Sequence, residues 1–106
     1  MTHARRIHVM ARYTVRRARV AAIRRAVGDL VAAVARGEPD TLVYEVFQEP
    51  DGISFVHLMA FRSRRAERRH AASRHVGRFT RLLLPSCTQR PVFTRLRLTG
   101  GHHAQP

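Results

Sequence analysis

Lysine is missing from this chain. All 20 basic residues are arginine, set against 7 acidic residues, for a net charge of +13. Heavy use of arginine and alanine points first to a GC-rich coding sequence, as actinobacteria carry, rather than to a binding site. The arginines are spread over every segment. The basic stretches have little aromatic interleaving, no RNP-like motif and no zinc-ligand spacing, which argues against specific nucleic-acid binding. The charge still favours loose attraction to polyanions or acidic small molecules. Cys87 is the single cysteine, so no internal disulfide forms, and this fits a reducing cytoplasm. No apolar run reaches the roughly 18 residues of a membrane span. The opening M-T-H-A-R-R lacks the apolar stretch of a signal peptide. A cytoplasmic location without membrane contact is expected.

What the sequence does have is one folded domain's worth of chain, 106 residues that are 44% hydrophobic. Its centre is residues 41–61. T-L-V-Y-E-V-F-Q and I-S-F-V-H-L-M-A-F flank E-P-D-G, which predicts a hairpin. Gln48 is expected opposite Ile53, Val46 opposite Phe55, Tyr44 opposite His57 and Leu42 opposite Met59. Alternation puts Leu42, Tyr44, Val46, Ile53, Phe55, His57, Met59 and Phe61 on one face. Val43, Glu45, Phe47, Ser54, Val56, Leu58 and Ala60 fall on the other. Both faces are mostly apolar, so both are expected to be covered.

The flanks supply the cover. Residues 7–15 alternate as a half-buried strand, with Val9, Ala11 and Tyr13 on one side. Residues 20–35 carry Ile23, Val27, Leu30, Val31 and Val34 at helical spacing. Gly28 inside that helix suggests close packing on the sheet. Gly37 and Pro39 end it. Ser63 is expected to cap a short arginine-rich helix running to about Ala72, broken at Ser73-Arg74-His75. A second short helix is expected over 76–84, stopped by Pro85. Residues 85–91 read as loop, and 92–98 as a last strand with Val92, Thr94, Leu96 and Leu98 on one face. Residues 1–6 and 100–106 read as a loose lead and tail around a domain at 7–99.

The order β-α-β-β-α-β predicts an α+β, ferredoxin-like antiparallel sheet with helices on one face. The uncovered apolar face calls for a second copy of the chain. Glu45 would then be a lone carboxylate on the dimer face, which is costly. Arg12, Arg95 or Arg97 is expected to pair with it there.

Several residues together resemble the antibiotic biosynthesis monooxygenase (ABM) domain. They are Tyr44 in L-V-Y-E-V-F-Q, the strand F-V-H-L-M-A-F running into a helix, and H-A-A-S-R-H-V-G-R-F. The resemblance covers roughly residues 7–99. It implies a dimeric α+β barrel with a pocket between sheet and helices in each subunit. It also implies, for some members, cofactor-independent oxidation of aromatic polyketides to quinones by O2. Where the family often carries Glu and Trp at the end of the third strand, this chain has Met59 and Phe61. Haem-degrading members need an Asn on the first strand and that Trp. Ala11 and Phe61 stand there, so haem degradation is not expected.

The expected pocket is lined by Val9, Ala11, Tyr13, Tyr44, Val46, Phe55, His57, Met59, Phe61 and Phe79. His57 is either a neutral base for a phenol or anthrone, or a core histidine bonded to Tyr44. Tyr44 either donates to a substrate oxygen or is a core aromatic. His75, at a helix start, matches the family's repeated histidine and is catalytic or structural. His70 reads as structural, and Cys87 as a spectator thiol. The function expected is cofactor-free, metal-free oxidation of a polycyclic phenol or anthrone. The alternative is a cyclase, isomerase or binding protein for an aromatic metabolite in the same pocket.

Overall fold

The computed structural model describes residues 6–104. Most of the expected lead and the end of the expected tail lie outside them. The elements run β1 (Ile7–Val15), α1 (Val20–Gly37), β2 (Thr41–Gln48), β3 (Ser54–Phe61), α2 (Arg64–Ala71), α3 (Arg74–Leu83) and β4 (Cys87–Leu96). The strands form one antiparallel sheet in the order β2-β3-β1-β4. This is the ferredoxin-like α+β arrangement. No helix among the described residues is long and apolar enough to cross a membrane.

Capping residues set the helix starts. Ser63 Oγ accepts from the Ala66 N–H at 3.1 Å. Ser73 Oγ accepts from the Val76 N–H at 3.2 Å and donates to the His70 carbonyl at 2.7 Å. Ser73 thus starts α3 as α2 ends, and Arg74 and His75 belong to the new helix instead of the break expected there. The apolar stripe of α1 buries Ile23, Leu30 and Val34 against Tyr13, Val15 and Phe55 of the sheet and Phe79 and Leu83 of α3. A second cluster gathers Val9, Ala11, Met59, Phe61 and Ala66. Gly28 is not a packing device: it is exposed, and a Cβ there would meet nothing within 4 Å.

Two strand expectations are corrected. In the hairpin, Gln48 opposes Phe55, Val46 opposes His57 and Tyr44 opposes Met59. The turn is longer than four residues. Gly52, with φ 78, donates to the Glu49 carbonyl at 2.9 Å. The Asp51 carboxylate accepts from the N–H groups of Ile53 and Ser54, each at 2.9 Å. The register moves by two, and side chains alternate with period two, so the faces of residues 43–48 and 54–61 survive, whereas a register shift between Thr41 and Val43 leaves Leu42 without the partner expected for it. In the last strand, β4 begins at Cys87 instead of Val92. Its pairing with β1 shifts between Arg12 and Thr14 and again between Thr14 and Val15. An edge strand with bulges tolerates Pro91, and its polar run T-Q-R-P carries no apolar period to announce it.

The faces of β4 also differ from expectation. Val9 pairs with Arg95 and Arg12 with Val92, so Arg95 lies on the helix side. There its guanidinium donates to Glu67 at 2.8 Å. Arg12 is on the outer face but pairs with Glu49, Nε to Oε2 at 2.6 Å. Arg97 follows the end of β4. None of these arginines meets Glu45 within the chain. Alternation separates two faces but does not say which is inner, and here apolar Val92 and Leu96 point outward.

Because Gly28 is an exposed helix-interior glycine, Gly28→Ala should stabilise the protein by about 0.5–1 kcal/mol through lower chain entropy. The midpoint of urea unfolding should rise with no change in slope.

Candidate functional site

A cavity of about 480 Å3 lies between the helix-facing side of the sheet and α2 and α3. Val9, Ala11, Met59, Phe61, Val76, Phe79, Leu83 and Leu84 make its walls mostly apolar. Two polar systems interrupt them.

The first is centred on His57, in the middle of β3. Ala11 of β1 and Val46 of β2 lie directly across from it. Tyr13 and Tyr44 are its diagonal neighbours on the two flanking strands, within reach of long aromatic side chains. Tyr13 Oη sits 2.8 Å from His57 Nε2, and Tyr44 Oη sits 2.9 Å from Nδ1. The small side chain of Ala11 leaves room for this line. Burial, reinforced by the nearby His70, pushes the His57 pKa down to about 4. Burial also raises both tyrosines above the usual phenol range. All three groups are therefore neutral near pH 7.

A neutral imidazole has one N–H and one lone pair. One tyrosine donates its hydroxyl hydrogen to His57, while the other accepts the His57 N–H. The accepting tyrosine keeps its own hydrogen, for which no acceptor exists among the described residues. Either tautomer leaves one such hydrogen, and both tyrosines line the cavity. The cavity therefore presents a hydrogen-bond donor that a ligand oxygen can fill.

The second system is Glu38, buried to 8% exposure just past the end of α1. Thr41 Oγ1 donates to it at 2.6 Å, His70 Nδ1 lies 2.9 Å from Oε1, and His75 Nε2 hydrogen-bonds to Oε2. Burial alone would raise the carboxyl pKa. The bonds from Thr41 and His75 and the charge and bond of His70 outweigh it, and the group sits below the ordinary carboxylate range. One ligand atom from each of Glu38, His70 and His75 lies within 4.8 Å of the others, so a divalent cation would be held here if one binds.

Of the expected pocket residues, Val9, Ala11, Tyr13, Tyr44, His57, Met59, Phe61 and Phe79 line the cavity. Val46, Phe55 and His75 do not. Val46 packs against the core, and Phe55 is buried in it, stacked on Tyr13 with centroids 5.6 Å apart. His75 turns to Glu38 and borders a groove between α1 and α3. Glu38 was missed because Gly-Glu-Pro reads as helix punctuation. Arg90, Pro91 and Phe93 also line the cavity, although the run to residue 91 reads as loop. Cys87 is half-buried beside the core, its thiol pKa raised by burial.

The sequence pattern of the antibiotic biosynthesis monooxygenase family matches residues 6–82. The chain belongs to that family. Among solved structures, it resembles a Caulobacter crescentus protein provisionally named an antibiotic biosynthesis monooxygenase. The two are 23% identical over 92% of this chain and 93% of that one, with a TM-score of 0.84. A protein from Bacteroides thetaiotaomicron with the same provisional name is 13% identical over 99% and 100% of the two chains, with a TM-score of 0.87. A Pseudomonas aeruginosa protein is 26% identical over 93% and 100%, with a TM-score of 0.79. No curated protein matches the chain by sequence.

The neutral His57 makes the fold acid-sensitive. The unfolded imidazole takes up a proton near its ordinary pKa of about 6.5, whereas the folded one does so only near pH 4. Between these values the unfolded chain binds more protons, so the His57 contribution to stability shrinks as pH drops and is gone below about pH 4. The His57 contribution is on the order of 3 kcal/mol. His70, also held below its ordinary value, and Glu38 act in the same direction. Urea unfolding at pH 7 and pH 4.5 should show this loss, and His57→Gln should make it smaller.

Proposed function

We propose that the cavity binds a polycyclic aromatic of the anthrone type, with a phenol O–H or an acidic C–H conjugated to a ring carbonyl, and oxidises it to a quinone with O2. The observation that carries this is the Tyr13–His57–Tyr44 line inside an apolar cavity, with one hydroxyl hydrogen left for a ligand oxygen. Loss of a proton puts negative charge on that oxygen, and a donor already in place in a mostly apolar cavity stabilises it. The electron-rich anion then reduces O2 directly by electron transfer and recombination to a hydroperoxide. Loss of water from the hydroperoxide leaves the carbonyl. An anthrone methylene supplies all four electrons, one oxygen atom enters the product, and the other leaves as water. No external reductant is needed.

His57 serves this chemistry by orienting the tyrosines. Both of its ring nitrogens are occupied by them, so of the two roles the sequence allows, base or histidine bonded to Tyr44, we take the second and assign it as a positioning residue. We further propose that two copies pair through the outer sheet face. Phe47, Val92, Val43 and Leu96 are exposed there, with Phe47 at 50% and Val92 at 64%. Exposed apolar residues grouped on a single sheet face mark an interaction surface.

Two measurements test these proposals. With a simple anthrone, the purified protein should consume one O2 per quinone formed without added reductant. Of Tyr13→Phe and Tyr44→Phe, the one that removes the spare hydroxyl hydrogen should lower kcat by roughly 100-fold, the scale of losing an oxyanion donor. No uptake above the uncatalysed rate, with the anthrone bound, would point instead to a non-oxidative role. Phe47→Glu should convert a dimer to monomer by light scattering. An unchanged dimer would place the interface elsewhere.

A further inference from the structure

We propose that His70, oriented by Glu38, is the general base of the cavity; this assignment rests on the proposed binding of an acidic aromatic there. Of the three histidines near the site, His57 has both nitrogens engaged by tyrosines, and His75 does not line the cavity. His70 does line it, with its ring between those of Tyr44 and Phe61 at centroid distances of 5.3 Å each.

The two nitrogens of His70 have different surroundings. Nδ1 lies 2.9 and 3.1 Å from the two Glu38 oxygens. An ionised carboxylate only accepts, so Nδ1 carries the hydrogen and Nε2 the lone pair. No protein group among the described residues bonds Nε2. Among the described residues no buried side-chain nitrogen or oxygen is left without a partner, so Nε2 is open to free space; His70 borders the main cavity and a small pocket beside Glu38, and Nε2 lies on the ring edge away from the Glu38-bonded Nδ1. A base with its lone pair toward the ligand and its other nitrogen fixed by a carboxylate is the arrangement proton abstraction requires.

The proton moves from the acidic C–H or O–H to His70 Nε2. The electron pair of the broken bond stays on the substrate and spreads to the oxygen held by the tyrosine hydroxyl. The imidazolium formed keeps its Nδ1–H on Glu38, a charge-assisted bond. His70 gives that proton to the peroxide anion formed with O2. It then takes the second C–H proton as the O–O bond breaks and the carbon's electron pair completes the carbonyl, and passes it to the departing hydroxide, which leaves as water. Glu38 is the positioning residue, itself held by Thr41 and His75. The titratable groups facing His70 are Glu38 from the loop after α1, His75 from α3, Tyr44 from β2 and His57 from β3.

The first test needs no variant. Nitrogen-15 NMR of the whole protein at pH 7.5 should show His70 as the Nδ1–H tautomer with a bare Nε2. An Nε2–H tautomer or an imidazolium overturns the assignment. The second is anaerobic exchange of the anthrone methylene hydrogens in D2O, which reads proton abstraction without the O2 step. Wild-type protein should accelerate exchange. His70→Ala should slow it by 100-fold or more while still binding anthrone, and added imidazole should restore part of the rate. Glu38→Gln should slow exchange and shift the tautomer toward Nε2–H. Exchange by His70→Ala at the wild-type rate overturns the base. Binding without exchange in the wild type overturns the base and leaves the binding site standing. Failure to bind overturns both.

Discussion

A carboxylate shut away from water must draw its hydrogen bonds from the chain, and Glu38 is the point where this fold meets that demand. Its three donors come from three elements: Thr41 opens β2, His70 ends α2 and His75 begins α3. The helix–sheet seam beside the cavity is drawn to one anion. Removing a single donor would leave part of a buried charge unsatisfied, at a cost well above that of an ordinary hydrogen bond. Ser73 reinforces the same joint by accepting from α3 and donating to the His70 carbonyl.

The cavity is consequently a polar site built inside an apolar one. On the sheet wall, a neutral imidazole and two phenols share two hydrogen bonds and leave a hydrogen over. On the helix wall, an ionised carboxylate fixes a second imidazole. Burial suppresses charge on the first group, and hydrogen bonding preserves it on the second. A site that can take a proton on one wall and stabilise an oxyanion on the other suits enolisable or phenolic aromatics. Met59 and Phe61 give the cavity apolar surface.

The element order and the sheet faces were legible because period-two and period-3.6 patterns are strong over β1, α1, β2 and β3. An error of two in the hairpin register left the faces of residues 43–48 and 54–61 unchanged, so Tyr44, His57 and Tyr13 could be placed on one wall before their bonds were known. That same error hid the diagonal geometry that lets both tyrosines reach one histidine. What sequence could not carry was partnership across long separations. Glu38 looks like the punctuation between a helix and a proline, and only the packing of α2 and α3 turns it into the hub of two histidines. β4 was hard for a different reason. An exposed, bulged edge strand has no buried face to impose a pattern, so its first residues read as loop and its arginines were given the wrong side.

The most direct test of the account is a structure of the protein with a redox-inert hydroxyanthraquinone soaked in. The rings should lie against Met59, Phe61 and Phe79, with a ligand oxygen at roughly 2.7–2.8 Å from the hydroxyl of Tyr13 or Tyr44. A ligand seated on the outer sheet face, or one inside the cavity with every oxygen turned away from both tyrosines, would contradict it.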